Sequence, residues 1–102
     1  MDMNQMMKQA QKMQADLARA QEEVREMEFT ATAGGGMVEV VATGDNTIQS
    51  ITIQPEAVDP DDVEMLQDML VAAVNSALEG VMAASEARLS AVTGGLNIPG
   101  LF

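Results

Sequence analysis

Histidine, cysteine, tyrosine and tryptophan are absent from all 102 residues, and that removes most catalytic chemistry at once. Without thiolate or imidazole there is no Cys nucleophile, no nucleophile activated by His, no His or Cys metal site and no indication of redox compartment. Only two aromatic residues occur, Phe29 and Phe102, so the core of this modest chain must be assembled from Val, Ile, Leu, Met and Ala. Long apolar runs are missing too. The longest, residues 69–74, falls far short of the ~20 residues of a membrane span. No basic region and apolar core of the signal-peptide kind follow Met1, so a cytoplasmic chain without membrane contact is expected.

Basic residues are scarce. Five Lys and Arg stand against sixteen Asp and Glu, for a net charge of -11, which opposes nonspecific attraction to nucleic acid or anionic lipid. The distribution is less one-sided than the total. Residues 1–21 carry Lys8, Lys12 and Arg19 against Asp2 and Asp16, whereas residues 59–102 carry Arg88 alone against seven acids. Positive charge is thus confined mainly to the first segment.

What that segment has in abundance is period. Met3, Met6, Ala10, Met13, Leu17, Ala20, Val24 and Met27 recur at alternating spacings of three and four, which predicts a helix over about residues 2–28 with one apolar seam made for another helix. At 1.5 Å per residue it would be roughly 40 Å long, more than a compact domain of this size covers, so part of it must project or find a partner. The pattern then changes to β-prone runs at about 29–33, 37–43 and 47–53, separated by Gly34-Gly35-Gly36 and Gly44-Asp45-Asn46. These turns suit tight reversals, and an antiparallel meander is expected. Its inward face should carry Val38, Val40, Ile48, Ile51 and Ile53, with Glu39 and Gln49 turned away. After Gln54-Pro55, the run Asp59-Pro60-Asp61-Asp62 reads as a helix start with Asp59 as N-cap and Pro60 in the first turn. The second helix is expected over about 60–93, stopped by Gly94-Gly95, with an apolar tail over 94–102. Gly80 inside it, at a cost of roughly 1 kcal/mol relative to Ala, implies either close packing or a mild weakness in the helix.

The order is long helix, three strands, long helix, with no linker that would divide residues 1–102 into two domains. An α+β fold follows. If both helices extend from one side of the sheet, neither buries its whole apolar stripe, and a homodimer is the economical solution.

No segment carries a catalytic motif. Gly34-Gly35-Gly36 lacks the Lys and Ser or Thr that complete a phosphate loop, since Met37-Val38 follow. Asp59, Asp61, Asp62 and Glu64 lack the spacing, glycine and terminal Glu of a calcium loop. Neither an enzyme, nor a cofactor, nor a metal is indicated. Lys8, Lys12 and Arg19 are the more informative set: at about 100° per residue they fall within 40° of one another, on the face away from the seam. By itself such a stripe is a solvated face, because Glu22 and Glu26 share it further along.

The run Met7-Lys8-Gln9-Ala10-Gln11-Lys12-Met13-Gln14, the segment Gly34-Gly35-Gly36-x-Val38-x-Val40, Ile51-x-Ile53, Asp62-x-Glu64-Met65-Leu66-Gln67-Asp68, Ala72-Ala73-x-Asn75 and the Gly94 to Gly100 ending together resemble the YbaB/EbfC family of bacterial nucleoid-associated proteins. The resemblance extends from end to end and rests on the order and spacing of these pieces. It implies a tweezer-like homodimer whose protruding helices straddle duplex DNA with little sequence preference, in the cytoplasm and nucleoid. Carried onto matching positions, it implies DNA contacts at Lys8 and Lys12, with Arg19 and Arg88 as further candidates. The acid excess supports a competing expectation, an acidic dimeric protein-interaction module of the same fold with a protein partner and little DNA affinity. In the DNA reading, Lys8, Lys12 and Arg88 lie toward the free ends of the helices and most carboxylates near the body.

Overall fold

A computed structural model describes residues 2–93. The elements follow in the expected order: α1 (Met3–Glu26), β1 (Glu28–Ala33), β2 (Val38–Thr43), β3 (Thr47–Ile53), a short 3-10 turn (Pro55–Ala57) and α2 (Val63–Thr93). The tail expected over 94–102 lies outside the described residues.

Helix α1 begins at Asp2, whose carboxylate accepts from the Asn4 amide at 3.3 Å, satisfying one of the orphan donors of the first turn. It ends two residues before the expected boundary, because Met27 is already extended and Glu28 enters the sheet opposite Thr43. The three strands form one antiparallel sheet in the order β1-β2-β3. Gly34, Gly35 and Gly36 all have positive φ (65°, 68° and 93°), which explains the unbroken glycine run between β1 and β2.

Alternation in β1 and β2 is regular: Val38, Val40 and Ala42 are fully buried while Glu39 faces solvent. Strand β3 carries a bulge. Val41 pairs with Ser50 and Ala42 with Ile48, so Gln49 is the extra residue and stays exposed. Ile48 and Ile53 pack against the core. Ile51 is opposite Val40 on the same face, yet 47% exposed. Its expected burial is corrected because α2 packs on β1 and β2 rather than on β3.

Helix α2 also starts later than its sequence suggests. The Asp59 carbonyl accepts from the Asp62 amide at 3.0 Å and its carboxylate from the Asp61 amide at 2.9 Å, closing a turn with Pro60 at the second position. Asp62 is the residue that caps the helix, accepting from the Met65 amide at 3.2 Å. Three aspartates within four residues, Asp59, Asp61 and Asp62, compete for the cap, and the turn takes the first of them.

The core is Val38, Val40 and Ala42 from the sheet against Ala73, Ala77 and Val81 of α2, with Leu66, Met69, Leu70, Val74 and Leu78 around them. Small side chains on the helix allow a close approach to the sheet. A Cβ on Gly80 would sit 3.4 Å from the Phe29 ring, so the only aromatic side chain of the described residues packs against the one glycine of α2. Beyond Val81 the helix leaves the sheet and runs back along the second half of α1, where Ala20 and Val24 are buried. The result is elongated, 71 × 26 × 15 Å, with a radius of gyration of 19.8 Å against about 13 Å for a compact domain of this length.

Candidate nucleic-acid interface

One apolar seam has two environments. Its C-terminal part, Leu17, Ala20 and Val24, is covered by α2, whereas Met3, Met6 and Ala10 are exposed and Met13 is half-buried. The last described turn of α2, at Ala91 and Val92, lies beside Asp16 and Arg19. Residues 3–15 therefore continue past it as a lone helix about 20 Å long at 1.5 Å per residue. Lys8 and Lys12 are both on this projecting segment, exposed, one turn apart and about 6 Å apart along the axis.

The three arginines are placed differently. Arg19 pairs with Asp16 at 3.7 Å, Arg25 with Glu22 at 3.0 Å, and Arg88 with Glu23 across the two helices. Arg88 does not lie toward a free end as expected: α2 runs antiparallel to α1, so its last third returns to the base of α1, where Glu23 meets it. Lys8 and Lys12 are then the basic residues that make no ion pair among the described residues. All of these pairs are at least partly exposed, so solvent screening leaves each with little effect on stability.

Both helices leave the sheet on one side but to different lengths: α1 continues past the last described turn of α2, because α2 spends its first two-thirds on the sheet. The unequal reach was not read from the sequence; its signal is Ala73, Ala77 and Val81, a small-residue stripe suited to flat contact with strands.

Where α1, α2 and the β2–β3 turn converge there is a shallow groove of about 420 Å³, bordered by Val24, Arg25, Asp45, Ser85 and Arg88. Both arginines in it are already paired with carboxylates of α1. Asp45, at its rim, accepts hydrogen bonds from Thr43 and Thr47, in that order of influence, and these hold its carboxyl below the usual value. That arrangement stiffens a turn and offers no group poised for acid–base work. Among the described residues no three acidic side chains converge as a metal site, and no helix is long and apolar enough to cross a membrane.

Comparison with known proteins places this geometry in context. A family model described as the YbaB/EbfC DNA-binding family matches residues 1–96. A nucleoid-associated protein of Desulforamulus reducens is 59% identical over 101 residues, covering 99% of this chain and 96% of its own. One from Acetivibrio thermocellus is 58% identical over 102 residues, covering 99% of this chain and 90% of its own. Among solved structures, the crystal structure of an uncharacterized protein, HP0035 of Helicobacter pylori, superposes with a TM-score of 0.68 at 26% identity, covering 95% of this chain and 99% of that one.

Proposed function

The chain belongs to the YbaB/EbfC DNA-binding family, and from that premise we propose that it binds duplex DNA as a homodimer, with little sequence preference, through the projecting half of α1. The family is not an enzyme family, and the relatives' names point to the nucleoid as the place of action. The observation that carries the assignment to α1 is the pair Lys8 and Lys12, exposed and unbridged on a segment that nothing else in the described chain covers. Two ammonium groups one turn apart suit successive phosphates. They are point charges without the fork geometry that reads a base edge, so they position the protein without selecting a sequence.

Arg19 and Arg88 contribute only by exchanging Asp16 and Glu23 for phosphate. Their role is secondary, because that exchange gains the difference between two ion pairs rather than a whole one. The net charge of -11 limits affinity, but the nearest acids on the arm are Asp2 and Asp16, and screening over about 8 Å at physiological salt isolates the lysines from the acidic body.

If about four to eight phosphates are neutralised per dimer, log K falls against log salt with a slope of roughly -4 to -7. Complexes formed in dilute buffer should then be largely lost near physiological ionic strength. A mobility-shift titration at two salt concentrations measures this, and the double variant Lys8→Glu, Lys12→Glu should weaken binding equally on unrelated duplexes and flatten the slope. Unchanged binding by a folded double variant rejects the arm as the DNA site. No binding by the unaltered protein even at low salt favours an acidic protein-interaction module, the reading that the charge excess and the three paired arginines support.

A further inference from the structure

The apolar seam of α1 is covered by α2 only as far as Leu17, and the side chains beyond that point are mostly large. Met3 is 75% and Met6 54% exposed. With Ala10 exposed and Met13 half-buried, the seam continues uncovered for about three turns toward the start of the helix. Lys8 and Lys12 lie on the opposite face and leave it free.

The described chain leaves α2 where this uncovered stretch begins, since Ala91 and Val92 stand beside Asp16 and Arg19, one turn from Met13. Its direction is set as well. Arg88 meets Glu23, and the turn after it has moved on to Asp16, so α2 ends pointing along the arm toward Met3. Residues 94–102 follow from there, with apolar Leu96, Ile98, Leu101 and Phe102 and no charged side chain among them. Their length suffices. From Met13 to Met3 the seam runs about 15 Å at 1.5 Å per residue, and the seven residues after Gly95 reach up to about 23 Å at 3.3 Å per residue.

We infer that residues 96–102 dock along the uncovered seam of α1 in the same chain, with Leu96 near Met13 and Phe102 toward Met3. Three observations select this occupant over any other: the chain departs at the first uncovered turn, it departs along the seam, and it then carries apolar side chains over the length required. Methionine suits such a partner, because its unbranched side chain adapts to an irregular surface. Neither side of the contact holds a charge, so no ion is desolvated when it forms. The lysine stripe stays open. Tail and phosphate would use opposite faces of one arm, and the tail extends over residues 3–13 the cover that α2 gives further along.

Amide exchange and methionine methyl resonances of the full chain test the inference. In the double variant Ile98→Ser, Leu101→Ser, exchange over residues 6–13 should be about fivefold faster than in the unaltered chain, with β2 unchanged. If that variant also disturbs β2, Leu101→Ser alone decides. Equal exchange rates along the arm overturn the docking. A nitroxide on Asn97→Cys then identifies the chain, since no native cysteine competes for the label. Carried on a chain with isotope-labelled methionine methyls and diluted into excess unlabelled protein, it should broaden Met6 and Met13 and spare Met65, at the far end of α2. Absence of broadening at Met6 and Met13 overturns the docking. Broadening found only when nitroxide and labelled methyls are on different chains gives the seam to a second copy's tail and overturns the same-chain assignment.

Discussion

Gly44 is informative because its role differs from the one its sequence context suggests. In Gly44-Asp45-Asn46 the glycine is the natural candidate for a positive φ, yet Asn46 takes it, at 64°. Gly44 is required instead by proximity. A Cβ there would overlap the carbonyl of Val24, so the β2–β3 turn is pressed against the end of α1 with no side chain between them. Its amide donates to the Met27 carbonyl at 3.0 Å, fixing the point where helix becomes strand. Gly44→Ala should therefore destabilise the fold by about 1–3 kcal/mol, read as a lower urea midpoint, because the backbone must shift to admit a methyl group. Asp45 beside it supplies a pH test. Its carboxyl is held below the usual value by the Thr43 and Thr47 hydrogen bonds, so the stabilisation is present above the unfolded value near 3.9 and lost as pH falls through the lower native one. Thr43→Val should raise the Asp45 midpoint toward the ordinary value in an NMR titration. The Gly44 contact was not legible in the sequence, since it depends on the packing of a turn on a helix twenty residues away, whereas the Asp45 bonds are local to the turn.

Among the elements, α1 was the most legible and its surroundings the least. Period alone specified the helix to within two residues at either end, because a seam of threes and fours has no other regular solution. The same seam did not specify which of its members would be covered: Met3 and Val24, three heptads apart, occupy equivalent positions in the pattern, one 75% and the other 4% exposed. Coverage is decided by where α2 ends, a length and not a pattern. Strand order and register were readable from alternation and turns, while the bulge at Gln49 was not, and the start of α2 was misplaced where Asp59 and Asp62 compete. The separation of arm from body gives a test at this scale. Gln9→Pro costs roughly 3 kcal/mol of helix in a segment that contributes no contact to the core. Far-UV ellipticity should fall by the first two turns and DNA affinity should drop, while the urea midpoint of the body changes by less than the equivalent of about 0.5 kcal/mol.

At the scale of the molecule, the charge total and the charge map point in different directions. A net charge of -11 describes the body, and two lysines describe the arm. The family resemblance identified the function class at the outset; the residues alone indicated only a non-enzymatic α+β chain with an oversized helix. The geometry adds which cations are engaged, a distinction hidden in sequence because Glu23 and Arg88 are sixty-five positions apart and meet only when α2 folds back along α1. The lone stretch at residues 3–15 has one more consequence. Isolated helices shorter than about 12–15 residues are marginal in water, so this stretch owes its helicity to continuity with the half that α2 clamps. Amide protons should accordingly exchange on a gradient along α1, fastest near Met3, slowing past Asp16 and slowest at Ala20 and Val24, while those of β2 open only with global unfolding. On the proposed function, duplex DNA should slow exchange around Lys8 and Lys12 and leave β2 unchanged, so that the end proposed to meet phosphate would be the end ordered by meeting it.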